Sequence, residues 1–216
     1  MATRDPGLTR EAEGALYLST MTNRPAGKPY LHIPGAGTMA MYVLVASLSV
    51  LFASSLLAYC FIRFVKMANQ WPPKGYPHLP PTLWVSTVVI LLTSGTIQFA
   101  LVSIKRNNEA RLRIGLGLTA ALGVMFLILQ TFNWIEFASH IGANPHTGPY
   151  VNFFYVLTGL HAAHVIGGLI PLAIVLPRAI GGRYSANFHP GVRYCTIYWH
   201  FLDIIWVALF VAIYVI

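Results

Sequence analysis

The 216-residue sequence predicts an all-α polytopic membrane protein, a bundle of five transmembrane helices with a cytoplasmic N-terminus and a periplasmic C-terminus. Three observations predict it. Hydrophobic residues make up 56% of the chain and charged residues only 9%, against about 25% charged in soluble domains, so most of the surface must face hydrocarbon. Five apolar runs each reach the length of about 20 residues that a bilayer requires. The lysines and arginines fall between those runs or at their ends, where they meet headgroups and set topology.

Taken in order, residues 1–36 are polar and broken by Pro6, Pro25, Pro29 and Pro34, and read as a disordered cytoplasmic tail ahead of a bundle at 37–216. The first apolar run begins too late for a cleavable signal peptide to be expected. The spans are placed at about 38–63, 83–104, 113–138, 151–177 and 194–216. In the first, Ser47, Ser54 and Ala58 share a helical stripe, and small residues at such spacing let helices approach closely in lipid. Gly115, Gly117 and Gly123 offer the third span the same device. The proline-rich connector at 64–82 cannot be helical. The connector at 105–113 is short and basic, that at 139–150 has no Lys or Arg, and that at 178–193 has three arginines.

Charge fixes the orientation. The tail and the connectors at 105–113 and 178–193 carry eleven Lys and Arg, and the opposite side carries three with Arg63 included. The positive-inside rule puts the richer side in the cytoplasm. The same scatter argues against nucleic-acid binding, despite a net charge of +8, because no basic face forms. Cys60 and Cys195 fall on opposite sides of the membrane, so no disulfide joins them and both read as small packing residues. No internal repeat is visible, which disfavours an inverted-repeat transporter.

Ionisable groups inside hydrocarbon need a partner or a task. They are Glu136 near the end of the third span, His161 and His164 in the fourth, and His200 and Asp203 in the fifth. From a rise of about 1.5 Å per residue, His161 and Asp203 both lie roughly 15 Å below the outer face, and His164 and His200 both roughly 20 Å below it. The fourth and fifth helices are therefore expected to pack together, with Asp203 held by an imidazole, His161 first. Haem or metal ligation and a proton relay are alternative uses of such a cluster. Interhelical locking is the favoured one, at about 1 kcal/mol per hydrogen bond. No metalloprotease, phosphate-loop or Cys-x-x-Cys motif is present, and no catalytic, cofactor-binding or metal-ligating residue is assigned.

The segments TGLHAAHVIGG at 158–168 and HPGVRYCTIYWHFLDIIWVALFVAIYV at 189–215 resemble subunit III of the haem-copper oxidases, that is, of cytochrome c and quinol oxidases. LGLTAALGVMFLILQTFNWIEF at 116–137 and LPPTLWVSTVVILLTSGTIQFALVSIKRNN at 79–108 look like the same family's helices. Tyr198, Trp199, His200, Asp203 and Trp206 carry the most specific part. The resemblance covers about 38–216 and is to the five-helix bacterial form. It implies a non-catalytic subunit of a respiratory oxidase in the bacterial inner membrane. Such a subunit has no redox centre of its own. It packs on subunit I and through it reaches subunit II, binds phospholipid, and leaves haem and copper to the partner chains. Candidate headgroup contacts are Arg111, Arg113, Arg178, Arg183 and Arg193.

Three positions depart from the family pattern. Ser47-Leu48 lacks the carboxylate of the usual pair, Asn133 stands where a glutamate is usual, and Arg193 stands where the fifth helix is usually entered through a glutamate. These losses weaken a side-chain proton relay and imply a divergent branch. The alternative readings are an accessory subunit of a nitric oxide reductase and, of another class, a haem-b membrane anchor using His161, His164 and His200.

Overall fold

The computed structural model describes residues 36–67, 81–141 and 148–215, without the side chains of Ile141 and Val215. The expected tail up to residue 35 and the central parts of the 64–82 and 139–150 connectors lie outside the described residues. Among the described residues five helices are long and apolar enough to cross a membrane. They are α1 (Ala36–Phe61, prolonged by a π-helical turn, Ile62–Lys66), α2 (Thr82–Lys105), α3 (Glu109–Ile141), α4 (Pro149–Ile180) and α5 (Pro190–Phe210, prolonged by a π-helical turn, Val211–Val215). Among the described residues the only extended pairing is an isolated bridge between Ser185 and Phe188.

The helices overrun the apolar spans because their ends carry their own start and stop chemistry. Asn107 adopts φ +56° after the last turn of α2, while the Asn108 N–H closes back on the Ser103 carbonyl at 2.9 Å. A left-handed residue there satisfies carbonyls that the helix end would leave bare, and Asn tolerates that conformation. Asn108 then caps α3, its side-chain oxygen accepting from the Arg111 N–H at 3.1 Å. The strip between two spans is thus two helix ends meeting in an Asn-Asn turn. Pro149 and Pro190 open α4 and α5, where a missing N–H does no harm.

Helices α2, α3, α4 and α5 form a ring in which each packs on the next and α5 returns to α2. A Cβ on Gly115 would lie 2.8 Å from Ala100 Cβ and 3.0 Å from the Ala100 backbone, so α2 and α3 meet almost backbone to backbone. At Gly123 the neighbour is the Trp199 ring. The α3 glycine stripe therefore does the packing expected of it at two of its three positions, while nothing faces Gly117.

The stripe expected to pack α1 does not. Ser47, Ser54 and Ala58 are exposed, and the two hydroxyls bond their own helix, to Val43 O and Leu51 O. Small residues allow close approach only where a partner presents a flat surface, and α1 meets the ring through large side chains instead. Phe52 and Tyr59 are its only buried residues. Phe52 stands edge-on to His164 and Phe201, with ring centroids 5.0 and 6.3 Å apart, and Tyr59 meets Phe153 at 5.7 Å. At the C-terminal end of α5, Trp84 crosses Phe210 and Tyr214 in edge contacts at 4.8 and 5.5 Å. Such aromatic clusters favour a membrane–water interface.

Candidate functional site

The buried polar residues do not form one cluster. Helix α2 is rich in Ser and Thr, and its hydroxyls reach across to α5. The Ser94 hydroxyl meets His200 Nδ1 at 2.5 Å, and His200 Nε2 faces Gln98 Oε1 at 3.2 Å. Thr93 donates to Asp203 Oδ1 at 3.2 Å, and the Trp206 indole N–H donates to Thr87 at 3.0 Å. Three helical levels of α5 are thereby pinned to α2 by hydrogen bonds, each strengthened by the absence of competing water.

The expected pairing of Asp203 with His161 is not formed. Helices α4 and α5 do pack together, but Asp203 points to α2. His161 is fully buried between Phe126, Phe52 and Trp206, with ring centroids at 5.7, 6.4 and 4.9 Å. Neither of its nitrogens has a hydrogen-bond partner among the described residues. Equal depth was a sound inference from helical rise, but depth says nothing of the azimuth at which a side chain leaves its helix. His164 turns to α1 and its Nδ1 lies 2.7 Å from its own Leu160 carbonyl. Glu136 sits apart from all of these, 3.3 Å from Thr82, whose hydroxyl also bonds Asn133.

Sequence reasoning missed the partners Thr87, Thr93, Ser94 and Gln98, and two pairings between α3 and α4. Trp134 Nε1 donates to Thr158 at 3.0 Å, and the Tyr155 hydroxyl donates to the Trp134 carbonyl at 3.0 Å. The signal was present in the Ser/Thr density of α2, which has no purpose in a helix that faces only lipid.

A cleft of about 460 Å³ separates α1 from α4 and α5. Leu44 and Leu48 form one wall, His164 and Pro171 the other, Tyr198 the floor, and Arg178 the α4 C-terminal end. The Tyr198 hydroxyl is spent on the His164 carbonyl at 3.0 Å, so the middle of the cleft is largely apolar. A second, more polar pocket of about 260 Å³ is lined in part by Thr38, His189 and Arg193, and shares Tyr194 with the first.

The five arginines differ in their surroundings. Arg113 is engaged, holding Glu109 at 2.9 Å and the Ala179 carbonyl at 3.2 Å. Arg178 bonds Tyr184; burial pushes that phenol above its ordinary range, and the guanidinium partly offsets the shift. Arg193 lines the polar pocket, and Arg111 and Arg183 are exposed. Cys60 and Cys195 are free, as expected. Among the described residues no three His, Cys, Asp or Glu side chains converge as metal ligands would.

The comparisons with known proteins point one way. The family model described as cytochrome c oxidase subunit III matches residues 33–216. The chain is similar to cytochrome c oxidase subunit 3 of Thermostichus vulcanus, at 34% identity over 185 residues, which covers 84% of this chain and 88% of that protein. It is 35% identical to the subunit 3 of Synechocystis sp. over 168 residues, covering 77% and 70% of the two chains. With that of Corynebacterium diphtheriae it shares 28% over 185 residues, covering 85% and 90%.

Proposed function

Since the chain belongs to the cytochrome c oxidase subunit III family, and so is a multi-pass subunit of a haem-copper oxidoreductase complex, we propose that its own part is structural: it buttresses the catalytic subunit I and holds phospholipid in the α1/α4/α5 cleft. The complex as a whole reduces dioxygen to water and moves protons, with cytochrome c as donor in keeping with the names of its relatives. Haem and copper belong to the partner chains. This chain's three imidazoles within the α4 and α5 spans are spent on packing: His200 on Ser94 and Gln98, His164 on Leu160 and the Phe52 ring, His161 inside an aromatic cage.

The observation that carries the lipid reading is that two pockets of opposite character adjoin at Tyr194. An apolar cleft suits acyl chains, and the adjoining pocket with Arg193, together with Arg178, suits an anionic headgroup. The charge asymmetry supports a cytoplasmic N-terminus and a periplasmic C-terminus in a bacterial inner membrane, which puts both arginines at the anionic inner surface.

The test is to purify the native complex through a tag on this chain. Other oxidase subunits and anionic phospholipid should co-purify, and Arg178→Gln with Arg193→Gln should lower the bound lipid at least threefold. A Soret band retained by the isolated chain would overturn the structural reading. Lipid content unchanged in the double variant would overturn the cleft assignment.

A further inference from the structure

The exposed surface of the α2–α5 seam has a property that lipid cannot match. Gln98 is exposed and His200 half-buried. Gln98 lies seven residues from the Lys105 end of α2, about 10 Å inside it along the axis. In a hydrocarbon core about 30 Å thick, that is well within the apolar zone. The Gln98 carbonyl faces His200, and its amide nitrogen has no partner among the described residues. An amide with unmade hydrogen bonds is strongly disfavoured against acyl chains.

The other lipid-depth polar groups on exposed surfaces behave differently. Ser47, Ser49, Ser54 and Ser55 of α1 and Thr131 of α3 all bond carbonyls of their own helices. Such hydroxyls can face acyl chains without loss. An amide side chain aimed across a seam cannot use that solution. Next to Gln98, a Cβ on Gly95 would meet nothing within 4 Å, so the surface is locally flat. Leu91 and Leu92 flank it on α2, and Ile204 and Val207 continue it on α5, all exposed. A flat small-residue site beside a hydrogen-bonding group is what a second helix needs in order to approach closely in a membrane.

We infer that the α2–α5 face is where another subunit of the oxidase docks, through a transmembrane helix that sets a small residue against Gly95 and a hydrogen-bond acceptor against the Gln98 amide. This rests on the chain's place in a multisubunit oxidase and adds to it the surface used and the chemistry of the partner. The occupant is a hetero-subunit and not a second copy of this chain. The family to which this chain belongs places it beside other oxidase subunits, whereas a second copy could offer Gln98 only a carbonyl that already accepts from His200.

The experiment uses the intact complex, with a photo-crosslinking residue introduced singly at Leu91 or Val207 on this face and at Met125 or Ile170 on α3 and α4. All four positions are exposed, so folding is little affected. Crosslinks to another oxidase subunit should be at least tenfold stronger from Leu91 and Val207. In parallel, Gln98→Leu should lower the amount of partner retained per copy of this chain severalfold. Equal or stronger subunit crosslinks from Met125 and Ile170 would overturn the inference, as would products with lipid alone or with a second copy. Full retention by Gln98→Leu would also overturn it, since a lipid-facing site gains from leucine. If the unmodified chain brings down no oxidase subunit at all, the family-based reading fails with it; crosslinks from the wrong face within an intact complex sink only this inference.

Discussion

Replacing Phe52 with alanine should release α1 from the rest of the bundle. In a water-soluble core, Phe→Ala costs about 3–5 kcal/mol, most of it transfer of the ring to water plus the cavity left behind. Here the released ring enters lipid as apolar as the site it leaves, so the transfer part largely vanishes. What remains is packing against His164, Phe201 and His161 at centroid distances of 5.0, 6.3 and 6.4 Å. At about 0.5–1.5 kcal/mol per ring pair, with two of the three at long range, the loss comes to about 1.5–3 kcal/mol. The only other buried side chain of α1 is Tyr59, and the rest of its packing comes from the partly buried Val45, Leu48, Leu56 and Cys60. Reversible unfolding in mixed detergent–SDS micelles reads the difference, with Val50→Ala as the control at a side chain 70% exposed. Equal destabilisation by the two variants would refute the view that the ring contacts of Phe52 anchor α1.

Three further outcomes follow from the packing. Gly115→Leu should destabilise the bundle by about 1–3 kcal/mol through overpacking against the Ala100 backbone, while Gly117→Leu, with open space before it, should be near neutral in the same micelle assay. Trp206→Phe and Thr87→Val each remove the 3.0 Å hydrogen bond between α5 and α2 and should each cost about 1 kcal/mol, the double variant adding little to either; additive losses would show the bond carries no energy. Thr93→Val removes one of the two hydroxyls, with Ser94, that bond Asp203 and should lower stability by about 1–2 kcal/mol, with Asp203→Asn in the Thr93→Val background recovering part of the loss; no recovery would show that the carboxylate is not what Thr93 satisfies.

The fold was legible because the bilayer imposes a length and a composition on every span, and five runs met both. Helix ends were less legible. The 105–113 connector read as a loop because its charges exclude it from hydrocarbon, yet from Glu109 it is already helical, with Glu109 and Arg113 bonded one turn apart. Hydropathy reports where lipid ends, not where the helix does. The polar contacts were the least legible. His161 and Asp203 match in depth but leave their helices at different angles, and azimuth depends on how all five helices roll against one another. A stripe such as Ser47, Ser54 and Ala58 misleads for the same reason, since periodicity marks a face without saying what the face meets.

The three departures from the family pattern take on a common sense once their positions are known. Leu48 lies on the wall of the α1 cleft facing the side that holds His164, so a carboxylate missing there leaves the cleft apolar at mid-depth and better suited to an acyl chain. Arg193 lines the polar pocket beside it, where a positive charge in place of a negative one turns a repulsive site for an anionic headgroup into an attractive one. Asn133 is buried and bonds Thr82 near the far end of the bundle, with Glu136 close to the same hydroxyl, so a neutral side chain avoids setting two carboxylates side by side. None of the three disturbs the α2–α5 hydrogen bonds or the α2–α3 glycine contact that define the ring. The divergence is therefore one of electrostatics, at Leu48 in the cleft, at Arg193 by its mouth and at Asn133 beside Thr82, all away from the contacts that close the ring.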